Sequence, residues 1–258
     1  MTKAVTTEAV GETFAILKPE VREAIAEAFD GEAPDLRLSD LPSVVYPGAG
    51  DDRFIVKVAG AERKEDSITG VVLGQRARRA LYLSPYSAGS TDAPDCGSQD
   101  GINGTPQTVD GQLMNSIKAS DGSEIVFGGD CASCPLNQWQ SRRMVKSDYT
   151  GEGKACSESR VLMLLPPDKV RPYILRLPST ALGAWNAFKW ELVDRGIGLS
   201  RAIVRFSLTA KSGETPQLKI ETVGELPIED AKTLKSLMPS FSQPQLAAPA
   251  EDDGAIPF

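Results

Sequence analysis

Ile68-Thr-Gly-Val-Val-Leu-Gly-Gln-Arg-Ala-Arg-Arg-Ala-Leu-Tyr-Leu83 alternates along most of its length. Val71, Leu73, Ala77, Leu81 and Leu83 share one parity and are apolar, while Arg76, Arg78 and Tyr82 share the other. Successive side chains of a strand point to opposite faces, so the pattern predicts a long strand with a core face and a basic, aromatic face. Gly74 interrupts the run, and Arg79 breaks the alternation in the way a bulge would.

Working outward, Phe54-Ile-Val-Lys-Val58 reads as a strand before it, and Arg160-Val-Leu-Met-Leu-Leu165 and Tyr173-Ile-Leu-Arg-Leu177 as strands after it. A helix follows, capped by Ser179 or Thr180, with Ala181, Trp185, Phe188 and Leu192 on one face and its end near Gly196. Trp185 and Trp190 are both assigned to packing on that helix. Two further strands, 202–210 and 217–223, flank the turn-like Lys211-Ser-Gly-Glu-Thr-Pro216. In the first, Ala202, Val204, Phe206 and Leu208 face one way and Arg201, Arg205 and Thr209 the other. Short helices are expected at each end of the core. Pro19-Glu-Val-Arg-Glu-Ala-Ile-Ala-Glu-Ala-Phe29 carries Val21, Ile25 and Phe29 as a stripe, and residues 228–238 form the last helix.

The fold class is therefore mainly β with α (α+β). Two strands, two strands, a helix and two strands is compatible with an OB-like β-barrel, in which a helix sits between the third and fourth strands, among other barrel or α+β arrangements. Residues 1–40 read as an N-terminal helical segment, 41–239 as the core, 84–158 as an insertion into it, and 240–258 as a flexible acidic tail.

Composition narrows the chemistry. The 258 residues contain no histidine, which removes Ser-His-Asp triads, Cys-His dyads, His-based general acids and the H-x-E element of zinc nucleobase deaminases. No P-loop, G-x-G-x-x-G turn or spaced carboxylate cluster is present, so the chain reads as a non-enzyme. There is no long apolar run or basic-then-apolar leader, which gives the expectation of a soluble cytoplasmic protein with no membrane partner. The net charge of −7 is uneven. Residues 1–40 carry 9 acids and 4 bases, residues 41–238 carry 23 and 24, and residues 239–258 carry 3 acids and no base. The near-neutral middle can thus present a local basic face to an anionic ligand.

All four cysteines fall in the aperiodic, Gly-, Ser-, Asp- and Asn-rich insertion: Cys96, Cys131, Cys134 and Cys156. A C-x-x-C pair sets two thiolates on one turn, and two distant cysteines complete a tetrahedral four-sulfur shell suited to structural Zn2+. Buried apolar cysteines, disulfides and C-x-x-C redox chemistry are the competing readings. Candidate nucleic-acid contacts are Arg76, Arg78 and Tyr82 on the long strand, Trp139, Arg142, Arg143 and Lys146 beside the cysteine pair, and Arg171, Tyr173, Arg201 and Arg205. Cations along a groove plus aromatic platforms are what an unpaired strand requires.

The chain ends Glu251-Asp-Asp-Gly-Ala-Ile-Pro-Phe258. This resembles the acidic tip of bacterial single-stranded DNA-binding proteins (the SSB family), with Gly254-Ala255 as a departure between the acids and Ile256. The resemblance implies that Asp252, Asp253, Ile256, Pro257 and Phe258 bind partner enzymes of replication, recombination and repair. Asp95-Cys96-Gly-Ser-Gln-Asp-Gly101 and Cys131-x-x-Cys134-Pro135 look like phage single-stranded DNA-binding proteins with a zinc module in an OB-fold, although those can use a His ligand. Together the resemblances imply a single-stranded DNA-binding protein, phage or mobile-element encoded, acting in the bacterial cytoplasm or nucleoid. The alternative is a zinc-containing adaptor that occupies SSB-tail-binding pockets without touching DNA.

Overall fold

The computed structural model describes residues 14–28, 41–48, 51–83, 93–109, 111–145, 151–209 and 215–237. Lys146 and the tail residues Asp252, Asp253, Ile256, Pro257 and Phe258 lie outside them, as do parts of the N-terminal segment.

Along the chain, a short 3-10 turn at Ala15–Leu17 precedes helix α1 (Pro19–Ala28). Strands β1 (Ser43–Val45), β2 (Phe54–Val58), β3 (Ala61–Glu65) and β4 (Ser67–Leu81) follow. The cysteine-bearing stretch forms β5 (Cys96–Ser98), β6 (Asn103–Pro106), β7 (Thr108–Val109), β8 (Gln112–Leu113), β9 (Ser116–Lys118), β10 (Glu124–Val126), β11 (Gly129–Asp130) and α2 (Ser141–Val145). Then come β12 (Cys156–Leu165), β13 (Tyr173–Leu177), α3 (Leu182–Asp194), β14 (Ala202–Thr209), β15 (Gln217–Glu225) and α4 (Ile228–Leu237). The architecture is mixed α and β, mostly open sheet with few helices. Among the described residues no helix is long and apolar enough to cross a membrane.

The described chain divides into two units. The first takes the residues up to Gln75 and from Val161 onward; the second is Arg76–Arg160. In the first, the strand order is β15-β14-β4-β12-β13-β1-β2-β3. β14 runs antiparallel to the start of β4, from Ile203 opposite Val71 to Ser207 opposite Ser67. β1 lies parallel to β13, with Val44 beside Leu175, and antiparallel to β2.

Both faces of this sheet are covered, so its central strands bury both parities. Val72 and Ile68 join a cluster with Leu162, Leu164, Leu175, Trp185, Phe188 and Phe206, beneath α3. Val71 and Leu73 join Phe14, Ile16, Met163, Leu165, Ile203 and the α4 residues Ala231 and Leu234. The simple two-faced reading of 68–83 therefore holds only in part: Val71, Leu73 and Leu81 are buried as expected, Ala77 and Leu83 are half-buried, and Val72 is core as well. Arg79 is no bulge against β5. Arg79, Ala80 and Leu81 pair in regular register with Ser98, Gly97 and Cys96.

The expected apolar face of α3 is observed, with Ala181, Trp185, Phe188 and Leu192 all buried. Its start differs. Ser179–Ala181 form a 3-10 turn, and neither hydroxyl caps the helix by a side-chain bond. At its end, the Ile197 N–H donates to Leu192 O and the Gly196 N–H to Val193 O, both at 2.9 Å. Those two bonds are a Schellman ending, and they seat Ile197 beside Leu192 in the core.

The second unit has a small core of its own. Leu81, Ala119, Ile125, Phe127 and Leu136 are buried together, with Cys96, Cys134, Ile117 and Ala155 against them. Its strands are β11-β6-β5-β4 plus the hairpins β7–β8 and β9–β10. Apart from β4, these strands are two to four residues long, too short to show a period.

Candidate metal centre and nucleic-acid face

Within the second unit, the C-x-x-C turn is fixed from outside and inside. Gly128 has φ +100° and Gly129 φ +66°, the left-handed region in which side chains with a Cβ are strained. A Cβ on Gly128 would also meet the Pro106 ring at 2.5 Å. The Cys131 N–H donates to Ile102 O at 2.7 Å. The Asp130 carboxylate accepts the Ala132 and Ser133 amides at 3.0 and 3.1 Å. Hydrogen bonds from Ser133 and Ala132 hold that carboxyl below its usual range. Asn137, buried, donates its Nδ2–H to Cys131 O at 2.6 Å, and Gln138 donates to Ala132 O at 2.9 Å. The carbonyls of Cys131 and Ala132 are thereby satisfied within the turn.

The other two cysteines arrive on strands. Cys96 opens β5 opposite Leu81 of β4 and Pro106 of β6; Cys156 opens β12. A Cβ on Gly104 would lie 3.0 Å from Cys96 Sγ and 3.5 Å from Cys131 Sγ, so the bare backbone of β6 makes room for two converging sulfurs. Burial pushes the Cys156 thiol up to about 12, and the neighbouring Cys131, Cys134 and Cys96 add to it. Cys96 is pushed up to about 11 by burial and then by Cys131, Cys134 and Asp95. The four side chains share one neighbourhood. All four are free thiols. Among the described residues no group of three or more His, Cys, Asp or Glu is arranged, as it stands, to hold a metal ion.

Beside this turn, Trp139 is 72% exposed, with Lys154 Nζ 5.9 Å from its ring centroid. That distance is within range of a cation–π contact. Gln140 takes the left-handed φ of +70° and leads into α2, whose Arg142 and Arg143 are exposed. The Arg143 Nε–H donates to Gly151 O at 2.8 Å, which ties its stem to the returning loop. Arg76 and Arg78 on the second half of β4, and Tyr82 just beyond its end, are half-buried rather than open to solvent. Burial raises the Tyr82 hydroxyl pKa.

In the first unit the expected contacts separate into different roles. Arg171 is exposed and borders a cavity of about 310 Å³ with Lys57, Leu41, Pro42 and Val58. Arg205 is exposed and stands opposite Glu221 across the β14–β15 pair. Tyr173 is only 4% exposed and accepts a hydrogen bond from Arg63 at 3.4 Å; as a core residue it offers no face to a base. Arg201 donates to Leu226 O at 3.2 Å and pairs with Glu225 at 3.4 Å, so it joins β14 to the strand end and is not a spare cation.

Trp190 reverses its expectation. It is 68% exposed, while Trp185 is fully buried and donates its indole N–H to Gln75 at 3.0 Å. Five residues on a helix turn the side chain by about 140°, so the two tryptophans cannot share a face. That spacing was the available signal. Lys154 and the Arg79–Glu158–Arg160 ion pairs (3.3 and 2.9 Å) are further groups that pattern reading passed over. No protein-family model, curated protein or solved structure matches this chain.

Proposed function

We propose that the chain is a non-enzymatic single-stranded DNA-binding protein of replication, recombination or repair, phage or mobile-element encoded. In this reading structural Zn2+ holds its cysteine segment, and its C-terminal tip recruits partner enzymes. The observation that carries the DNA reading is the exposed indole of Trp139, attended by Lys154 and followed by Arg142 and Arg143, directly after the C-x-x-C turn. An open aromatic plane with cations around it is what an unpaired base and its phosphate need.

The OB-like reading is supported by the pairing around β4, which takes β12 and β14 as neighbours and is followed by β13, α3 and the β14–β15 hairpin. Counted from β4, that is the succession of a five-stranded OB barrel with its helix after the third strand. The departure is at closure, where β1 occupies the outer edge of β13. The cysteine insertion then stands in the first inter-strand connection, a loop that OB-folds use for oligonucleotides. Zinc is supported by four thiols of one neighbourhood at a turn with its backbone already satisfied.

Fluorescence anisotropy of a labelled oligothymidylate with zinc-loaded protein tests the proposal. Binding at low salt that weakens linearly in log salt is expected. An absence of binding at low salt would end the DNA reading and leave the adaptor that acts through its tail alone. Deleting Ile256 to Phe258 separates the two activities: partner capture is lost and oligonucleotide affinity is kept.

A further inference from the structure

Arg79 is a half-buried cation whose Nε–H faces no acceptor. Its side chain is 18% exposed and pairs through one terminal nitrogen with Glu158 Oε2 at 3.3 Å. Its Nε is buried and has no hydrogen-bond partner. A buried guanidinium N–H without an acceptor is costly and calls for an explanation. Glu158, which also holds Arg160 through its other oxygen at 2.9 Å, does not reach that Nε. Asp130, whose carboxylate accepts two amides of the C-x-x-C turn, does not reach it either.

The strand registers show what lies next to that donor. On β5, Ser98 stands opposite Arg79 and Cys96 opposite Leu81, so Cys96 is the diagonal neighbour of Arg79. On β12, Glu158 touches Arg79, and Cys156 precedes Glu158 by two residues. Residues two apart share one face of a strand. Diagonal neighbours on adjacent strands are within reach of a long side chain. Arg79 therefore stands between two of the four cysteines, on their face of the sheet. A divalent ion held by four thiolates carries a net charge of 2−, and a cation beside the sulfurs offsets it.

We propose that Arg79 is the positioning residue of the four-cysteine centre: once metal is bound, its Nε–H donates to the thiolate sulfur of Cys156, and Glu158 holds the guanidinium in that orientation. This rests on the reading of the four cysteines as a metal site. Arg79 touches the ligand and not the ion, so its removal loosens the metal without deleting a ligand. Partners of this kind typically contribute about 10- to 100-fold in metal affinity.

The test uses the reduced full chain loaded with Co2+, whose thiolate charge-transfer band reports the ligand environment, in competition with a chromophoric chelator. Arg79→Gln should release Co2+ about 10- to 100-fold more readily than the unsubstituted protein and shift the band. Arg160→Gln, which removes the other cation on Glu158, should stay near the unsubstituted protein. If Arg79→Gln does not fold, Arg79→Lys gives the answer: it keeps the charge, lacks the Nε–H, and should still weaken the site. Unchanged affinity and spectrum in the folded variant overturn the proposal. If the unsubstituted protein takes up neither Co2+ nor Zn2+, the metal reading itself fails.

Discussion

The two units of this chain solve the same problem with different materials. The first surrounds its sheet with two apolar clusters, one under α3 and one against α4 and the N-terminal turn. The second gathers five buried hydrophobic residues into one small cluster, and carboxylates cap its turns. Apolar burial contributes in proportion to area, so a segment with so small a cluster needs another source of order. A bound metal is one, because the free energy of binding is then folding free energy.

The largest effect that would sharpen this contrast is at Trp185. It is fully buried, lies against Phe188 and Phe206 at centroid distances of 5.8 and 6.1 Å, and donates to Gln75. Trp185→Ala should cost about 3–5 kcal/mol in a denaturant melt, with metal uptake by the cysteine segment retained. A loss below 1 kcal/mol would show that the first unit does not depend on that cluster. Next comes Trp139→Ala in the second unit. Exposure makes it neutral for stability, while oligonucleotide affinity should fall by about 1–3 kcal/mol, the usual value of one base–ring stack. Unchanged anisotropy would remove Trp139 from the interface.

The smallest effect is a difference in pH response. Hydrogen bonds from Asn103, Ile102 and Ser98 hold the Asp100 carboxyl down to about 2, from an ordinary 3.8. The stability it contributes to the β5–β6 turn is present above pH 3.8 and is lost as pH falls toward 2. In the first unit, burial pushes Tyr46 up to about 12 from 10.0, and its hydroxyl donates to Pro216 O at 2.7 Å. Its contribution is present below pH 10 and is lost as pH rises toward 12. Hydrogen exchange across pH should therefore show acid loosening around residues 96–106 and alkaline loosening around Tyr46. Asp100→Asn should blunt the first and Tyr46→Phe the second; equal responses in both variants would break the distinction.

The same contrast explains what could be read in the sequence. The α3 stripe, the long β4 and the β14–β15 pair were legible because apolar burial imposes a period of 3.6 or 2 on the residues that do it. β3, Ala-Glu-Arg-Lys-Glu, was not, since as an edge strand it is solvated and charged: Lys57 pairs with Glu62, Arg63 with Glu65 and Lys64 with Asp51. The strands of the insertion were hidden for another reason. Their positions are set by turns such as the one Asp100 closes through the amides of Ile102 and Asn103 at 2.7 and 2.8 Å, and turns leave no periodicity. Spacing and residue type put the four cysteines forward as one site, and that site remains a proposal. Which cations near it are committed to protein partners was not legible, because Arg79 and Arg160 meet Glu158 only through the pairing of β4 with β12.

Hydrogen–deuterium exchange on metal-loaded and chelator-stripped protein tests the contrast most directly. The expected result is stoichiometric metal in the purified reduced chain, with protection in 93–145 and 151–160 lost on stripping while that of 161–209 persists. Protection that is the same with and without the ion would contradict the proposal that a metal, more than its small core, holds the cysteine segment together.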